Sequence, residues 1–170
     1  MDNAEFITGV FVRVSQVLET SLDGLTENEI NQQPSPECNS IGWMVWHLTR
    51  VQDMFIATLS NNEQVWITEK WYEIFGRETD SNDIGYGHSP EDLTNFRAPD
   101  TKILLDYHHA TLEKTKQYIR TIVPEELDRT IDNSRVPTVA LRLTAAISDN
   151  LQHAGQVAYL RGWLKAKIKH

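Results

Sequence analysis

An all-α fold, four long helices bundled in one domain over residues 1–170, is what this 170-residue sequence predicts. Three observations carry it. Four segments place apolar residues at spacings of three and four, prolines and glycines break the chain between them, and a connection of about forty residues separates the second segment from the third. Two short links and one long crossover describe a four-helix bundle that is not simply up and down.

The first helix is expected from Ala4 to about Glu19, with Ile7, Val10, Val14 and Val17 on its stripe. Pro34 and Pro36 in the following link exclude a continuous helix there. Ser40 is a good N-cap for the second helix, which runs through Ile41, Met44, Leu48, Val51, Phe55 and Leu59 to the Asn61-Asn62 break. The crossover holds Gly76, Gly85, Gly87, Pro90 and Pro99, but also Trp66, Trp71, Tyr72 and Phe75. A structureless loop of that length is uncommon inside a compact domain, so the aromatics are expected to pin it, with a short helix around Thr68 to Phe75. Pro99-Asp100 opens the third helix, whose stripe is Leu104, His108, Thr111, Thr115, Tyr118 and Ile122, and Pro124 ends it. Pro137-Thr138 opens the fourth, from Val139 to about Ala166.

That fourth pattern has two apolar faces. Leu143, Ile147, Leu151, Ala154 and Ala158 lie on one side; Ala145, Ala146, Asp149, His153, Val157, Leu160 and Leu164 lie on the other. One face meets the core and the other needs a cover, either a second copy approaching the small Ala154 and Ala158 or the crossover aromatics of the same chain.

Charge narrows the function. With 16 Lys plus Arg against 24 Asp plus Glu, the net charge of −8 argues against direct nucleic-acid binding and against gripping an anionic membrane. No run approaches the roughly 18 to 20 apolar residues that span a bilayer. The opening Met1 to Glu5 is acidic where a secretory signal carries Lys or Arg, and the lone Cys38 cannot form an internal disulfide; both point to the cytoplasm. One cysteine also excludes thiolate-rich zinc sites.

Of six histidines, His170 is terminal and is set aside. His108 reads as a core histidine, His109 as solvated, and His88 as a loop residue for which a place at a site mouth stays open. Glu63 and Asp53 read as exposed-helix or loop acids. Asp149 and His153 are the informative pair, because an i, i+4 spacing stacks them one turn apart on an inward face. A carboxylate there needs a counter-charge: a divalent cation shared with the imidazole, or an Arg or Lys. His47, at the edge of the second helix's stripe, is the third candidate, since two ligands from one helix and one from a facing helix can hold a metal with positions left open. The same Asp/His spacing also occurs as a local salt link.

Asn39-Ser40-Ile41-Gly42-Trp43-Met44-Val45-Trp46-His47-Leu48 resembles the start of the second helix in the DinB-like superfamily, and His153-Ala154-Gly155-Gln156-Val157 resembles that family's closing segment on the last helix. The resemblance implies an up-down-down-up four-helix bundle, usually a homodimer, with a divalent metal on His47, Asp149 and His153. At Asp149 the family pattern has histidine; the related thiol-dependent maleylpyruvate isomerases carry glutamate. It further implies zinc or nickel, a low-molecular-weight thiol as cofactor rather than Cys38, and thiol S-transferase or hydrolase chemistry on a small electrophile. Gln156 is expected to orient a ligand, or to be a surface polar group, and Trp66 and Trp71 to wall the pocket. The alternative is a non-catalytic dimeric stress-response or ligand-binding protein with a vestigial site.

Overall fold

The computed structural model describes residues 2–132 and 134–167. Met1 and His170, both used in the sequence reading, lie outside the described residues. The described residues are all-helical apart from one isolated bridge between Thr130 and Thr138.

Each long helix starts where its capping chemistry places it. Asp2 accepts from the Glu5 backbone amide while Glu5 reaches back, opening α1 (Asn3–Leu22). Thr26 and Glu29 form the same reciprocal pair at α2 (Glu27–Asn31), a helix absent from the sequence expectation. Ser40 caps α3 (Ile41–Ser60) as expected, and Asn61 ends it in the left-handed region at φ 54°.

The crossover contains three short helices rather than one: α4 (Val65–Thr68), α5 (Trp71–Ile74) and α6 (Pro90–Asn95). Lys70, at φ 57°, separates the first two, and a Ser89/Asp92 capping box starts the third. Asp100 caps α7 (Thr101–Ile119), a 3₁₀ turn follows at Pro124–Asp128, and α8 (Val139–Lys167) completes the fold.

The α3 helix packs against α7 and α8, and α1 packs against the same two. From Ile41 to Asp53 every residue of α3 is buried, so this helix has no solvent face over three turns. Its polar positions are therefore paired internally. Gln52 donates to Thr115 at 2.7 Å and accepts from Asn150 at 2.5 Å, while Thr49 lies 3.2 Å from His108 Nδ1. His108 is a core histidine, as expected, and burial lowers its pKa to about 3.

The α8 faces partition differently from the sequence reading. Val139, Leu143, Ala146, Asn150, Ala154, Val157, Leu160 and Leu164 form one buried stripe, whereas Leu151 is 49% exposed and Ala158 is exposed. The 3.6-residue repeat lets Leu143 and Val157 share a face that a two-sided split of the wheel assigns to opposite sides. Ala154 and Ala158 thus do not share one outer surface.

Asp53 is the clearest reversal. It is buried, not an exposed acid, and accepts from the Val65 and Trp66 amides at 2.9 and 2.8 Å and from the Tyr107 hydroxyl at 2.8 Å. Burial pushes its carboxyl above the usual range against the pull of those donors. Arg50, fully buried beside it, donates to Asp83 O, Asp80 O, Ser81 O and Gln64 Oε1 and lies 4.5 Å over the Trp66 ring. This pair fastens the crossover to α3.

Candidate metal centre

His47 on the buried first half of α3 faces Asp149 and His153 on α8. His47 Nε2 stands 3.6 Å from Asp149 Oδ1 and His153 Nε2 stands 3.7 Å from the same oxygen. One ligand atom from each of the three residues lies within 4.8 Å of the others. The 3.6 and 3.7 Å separations exceed direct hydrogen bonds but suit atoms that each reach about 2.0–2.2 Å to a shared ion.

The surroundings orient His47. A carbonyl only accepts, so the contact between His47 Nδ1 and Ile84 O puts a proton on Nδ1 and turns Nε2 toward Asp149. The ring is stacked on Trp43, with centroids 4.7 Å apart and planes at 11°. Trp43 in turn donates 3.0 Å to His88 Nδ1, and His88 Nε2 faces Asp83 at 3.4 Å. Asp83 is fixed by two hydrogen bonds from Arg77, at 2.9 and 2.6 Å. His88, left open by the sequence, therefore supports the residue that orients His47.

His153 sits one turn beyond Asp149, its ring 4.8 Å from that of His47 and nearly perpendicular to it. Burial holds its pKa below the ordinary value, with Asp149 pulling the other way and His47 adding to the lowering. Its Nδ1 is buried without a hydrogen bond of ordinary geometry, and Asp149 Oδ2 is buried and unpartnered. Asp149 has no Arg or Lys ion pair among the described residues; the groups that face it are the two histidines. Of the two counter-charges the sequence left open, the arrangement fits a cation. The exposed Gln156 stands close enough to His153 only to favour its charged form slightly.

A cavity of about 330 Å³ opens beside the two histidines, bounded by Trp43, Tyr86, His88, Leu93 and Glu37. Trp66 and Trp71 do not wall it, correcting the sequence expectation: Trp66 is fully buried under Arg50, and Trp71 packs on Tyr107. Trp43, inside the motif already quoted for His47, and Tyr86 take that place. A roomier concavity of about 820 Å³ lies between α3 and α7, over Thr111 and Asp53. Its buried carboxylate is consumed by structural hydrogen bonds, so chemistry rather than volume selects the smaller cavity.

The chain matches the DinB superfamily over residues 11–157. It is similar in structure to a conserved protein from Enterococcus faecalis, seen in a crystal structure, with a TM-score of 0.86 and 30% sequence identity over 95% of this chain and 96% of that one. No curated protein matches it at a significant level. No helix among the described residues is long and apolar enough to cross a membrane. The opening and closing motifs around His47 and His153, the helical fold and the family match converge, and the chain belongs to the DinB superfamily.

Proposed function

We propose that His47, Asp149 and His153 hold a divalent cation, zinc or nickel, and that the chain is a metal-dependent enzyme of the thiol-transferase or hydrolase type acting on a small electrophile. The observation that carries this reading is the convergence of one ligand atom each from His47, Asp149 and His153 within 4.8 Å of one another, with the second Asp149 oxygen, Oδ2, buried and unpartnered. Two imidazoles and one carboxylate suit either metal. A cation so held lowers the pKa of a coordinated water or thiol and polarises a substrate carbonyl.

The chain's own residues supply the rest. Ile84 O and Trp43 fix the His47 ring, burial holds the His153 pKa below its ordinary value, and the cavity admits a small molecule beside both. The exposed Cys38 hydrogen-bonds with Ser35 and does not line the cavity, which supports a thiol brought by a cofactor. The reading includes an up-down-down-up order. Gln52 joined to both Thr115 and Asn150, Glu19 to His109, and Arg161 to the Thr20 and Ser21 carbonyls support α1 parallel to α8 and α3 parallel to α7. It also includes a homodimer through the outer face of α8, where Leu151 and Tyr159, 49% and 78% exposed, flank Gly155, Ala158 and Gly162. A cytoplasmic location belongs to the same proposal.

Elemental analysis of untagged protein grown with zinc and nickel tests the centre. About one equivalent of metal per chain is expected, falling below a tenth in His47→Ala and His153→Ala. Unchanged metal content in those variants removes the mechanism. Metal retained without turnover of thiol-acceptor or ester panels favours a non-catalytic ligand-binding role.

A further inference from the structure

The segment from Ile84 to His88 is tied down on both sides of one free side chain. Its start is held by the Ile84 carbonyl accepting from His47, its end by His88 accepting 3.0 Å from Trp43 Nε1. Gly85 lies against the tryptophans: a Cβ there would stand 2.7 Å from Trp43 and 2.8 Å from Trp46. Gly85 and Gly87 have φ of 82° and 83°, so the residue between them is presented on a tip that glycine geometry defines.

That residue is Tyr86. At 89% exposure it is the most exposed large hydrophobic side chain among the described residues, yet it borders the same cavity as His47 and His153. A tyrosine ring offers a flat apolar face with a polar tip, and it gains most when a second planar group covers it. The charge around the mouth is one-sided. Glu37 is the carboxylate among the bordering residues, and none of them is Lys or Arg. Away from the metal centre itself, no Lys or Arg borders the mouth to pair with an anionic group on the outer end of a substrate, whereas a cationic group there meets both Glu37 and an aromatic face.

We infer that Tyr86 is a specificity-determining residue, stacking on the aromatic ring of a substrate whose ring end is neutral or positively charged and whose reactive end lies at the His47/Asp149/His153 centre. The inference rests on the metal-centre reading above and names the substrate class for that site.

Zinc-binding hydroxamic acids test it, with binding to zinc-loaded protein read by tryptophan fluorescence, because Trp43 stacks on His47. Benzohydroxamic acid should bind about fivefold more tightly than acetohydroxamic acid. Tyr86→Ala should bring that ratio near parity with zinc content unchanged, and Tyr86→Phe should keep it. The 4-aminomethyl derivative should bind more tightly than the 4-carboxy derivative, and Glu37→Gln should narrow the difference. An unchanged benzo-to-aceto ratio in zinc-loaded Tyr86→Ala, or tighter binding of the carboxy derivative, overturns the inference and leaves the metal centre standing. Wild-type protein that takes up no zinc, read by elemental analysis before any probe is added, overturns the metal centre and the inference with it.

Discussion

The bundle buries two clusters of charged side chains around α3, and they differ in how completely each satisfies itself. At Arg50 and Asp53 the accounts of donor and acceptor close. The carboxylate receives two amides and a hydroxyl, and the guanidinium reaches three loop carbonyls and the Gln64 side chain. At the second cluster the Nε2 atoms of His47 and His153 stand 3.6 and 3.7 Å from Asp149 Oδ1, and Asp149 Oδ2 is unpartnered. Both clusters lose hydration on folding. Only the first recovers it from the protein alone, as a structural pair does; the second is the cluster that we propose holds a cation.

Breaking the closed cluster should have the largest effect. Arg50→Ala strands a buried Asp53 and releases the 80–83 loop carbonyls, and should cost about 3–5 kcal/mol of unfolding free energy in urea titrations, with metal content as a second readout. A cost below about 1 kcal/mol would mean that the pair is not what holds the crossover. The open cluster should instead gain from an added ion. Zinc at about a hundred times its dissociation constant should stabilise the wild type by about 2.7 kcal/mol, seen as a raised Tm, and should leave Asp149→Ala and His47→Ala unmoved.

His108 lies between the two extremes, buried and neutral. Its folded pKa of about 3 is below the ordinary 6.5, so the unfolded chain takes the proton first as pH falls. The stability it contributes is complete above about pH 6.5 and is lost as pH drops toward 3, by about 1.4 kcal/mol per unit at the steepest. A His108→Gln variant should show a shallower decline in denaturation series over that window. The smallest effect is expected from Trp43→Phe, which keeps a ring beside His47 but loses the hydrogen bond to His88. It should cost about 1 kcal/mol, measured by urea unfolding of metal-free protein.

The same contrast explains what could be read from the sequence. The four long helices were legible because their periodicity and caps are local, and so was the triad: Asp149 and His153 are one turn apart, and His47 sits in a recognisable motif. Asp53 was not legible, because its partners Val65, Trp66 and Tyr107 are 12 to 54 residues away and its own neighbourhood looks like an ordinary helix surface. Tyr107, Leu112 and Ile119, all buried, fall outside the stripe assigned to the third helix, since contact with both α1 and α3 widens its buried arc. The short helices α2 and α6 did carry a local signal. Thr26/Glu29 and Ser89/Asp92 are hydroxyl and acid three residues apart, the pattern of a capping box. The pocket walls were misplaced because the crossover folds back through Gly85, whose contact with Trp43 and Trp46 no periodicity reports.

The hydrogen bond from His47 ends on a main-chain carbonyl, that of Ile84. Because every residue type carries the same carbonyl, substitution at position 84 leaves this acceptor in place. Deleting or inserting a single residue between Asp83 and His88 does not, since it shifts the carbonyl out of register with a ring already held by Trp43. The orientation of this ligand is thus tolerant of amino-acid replacement and intolerant of changes in chain length, so relatives that keep the centre should vary in the identity of residues 84 and 86 far more readily than in the number of residues between 83 and 88.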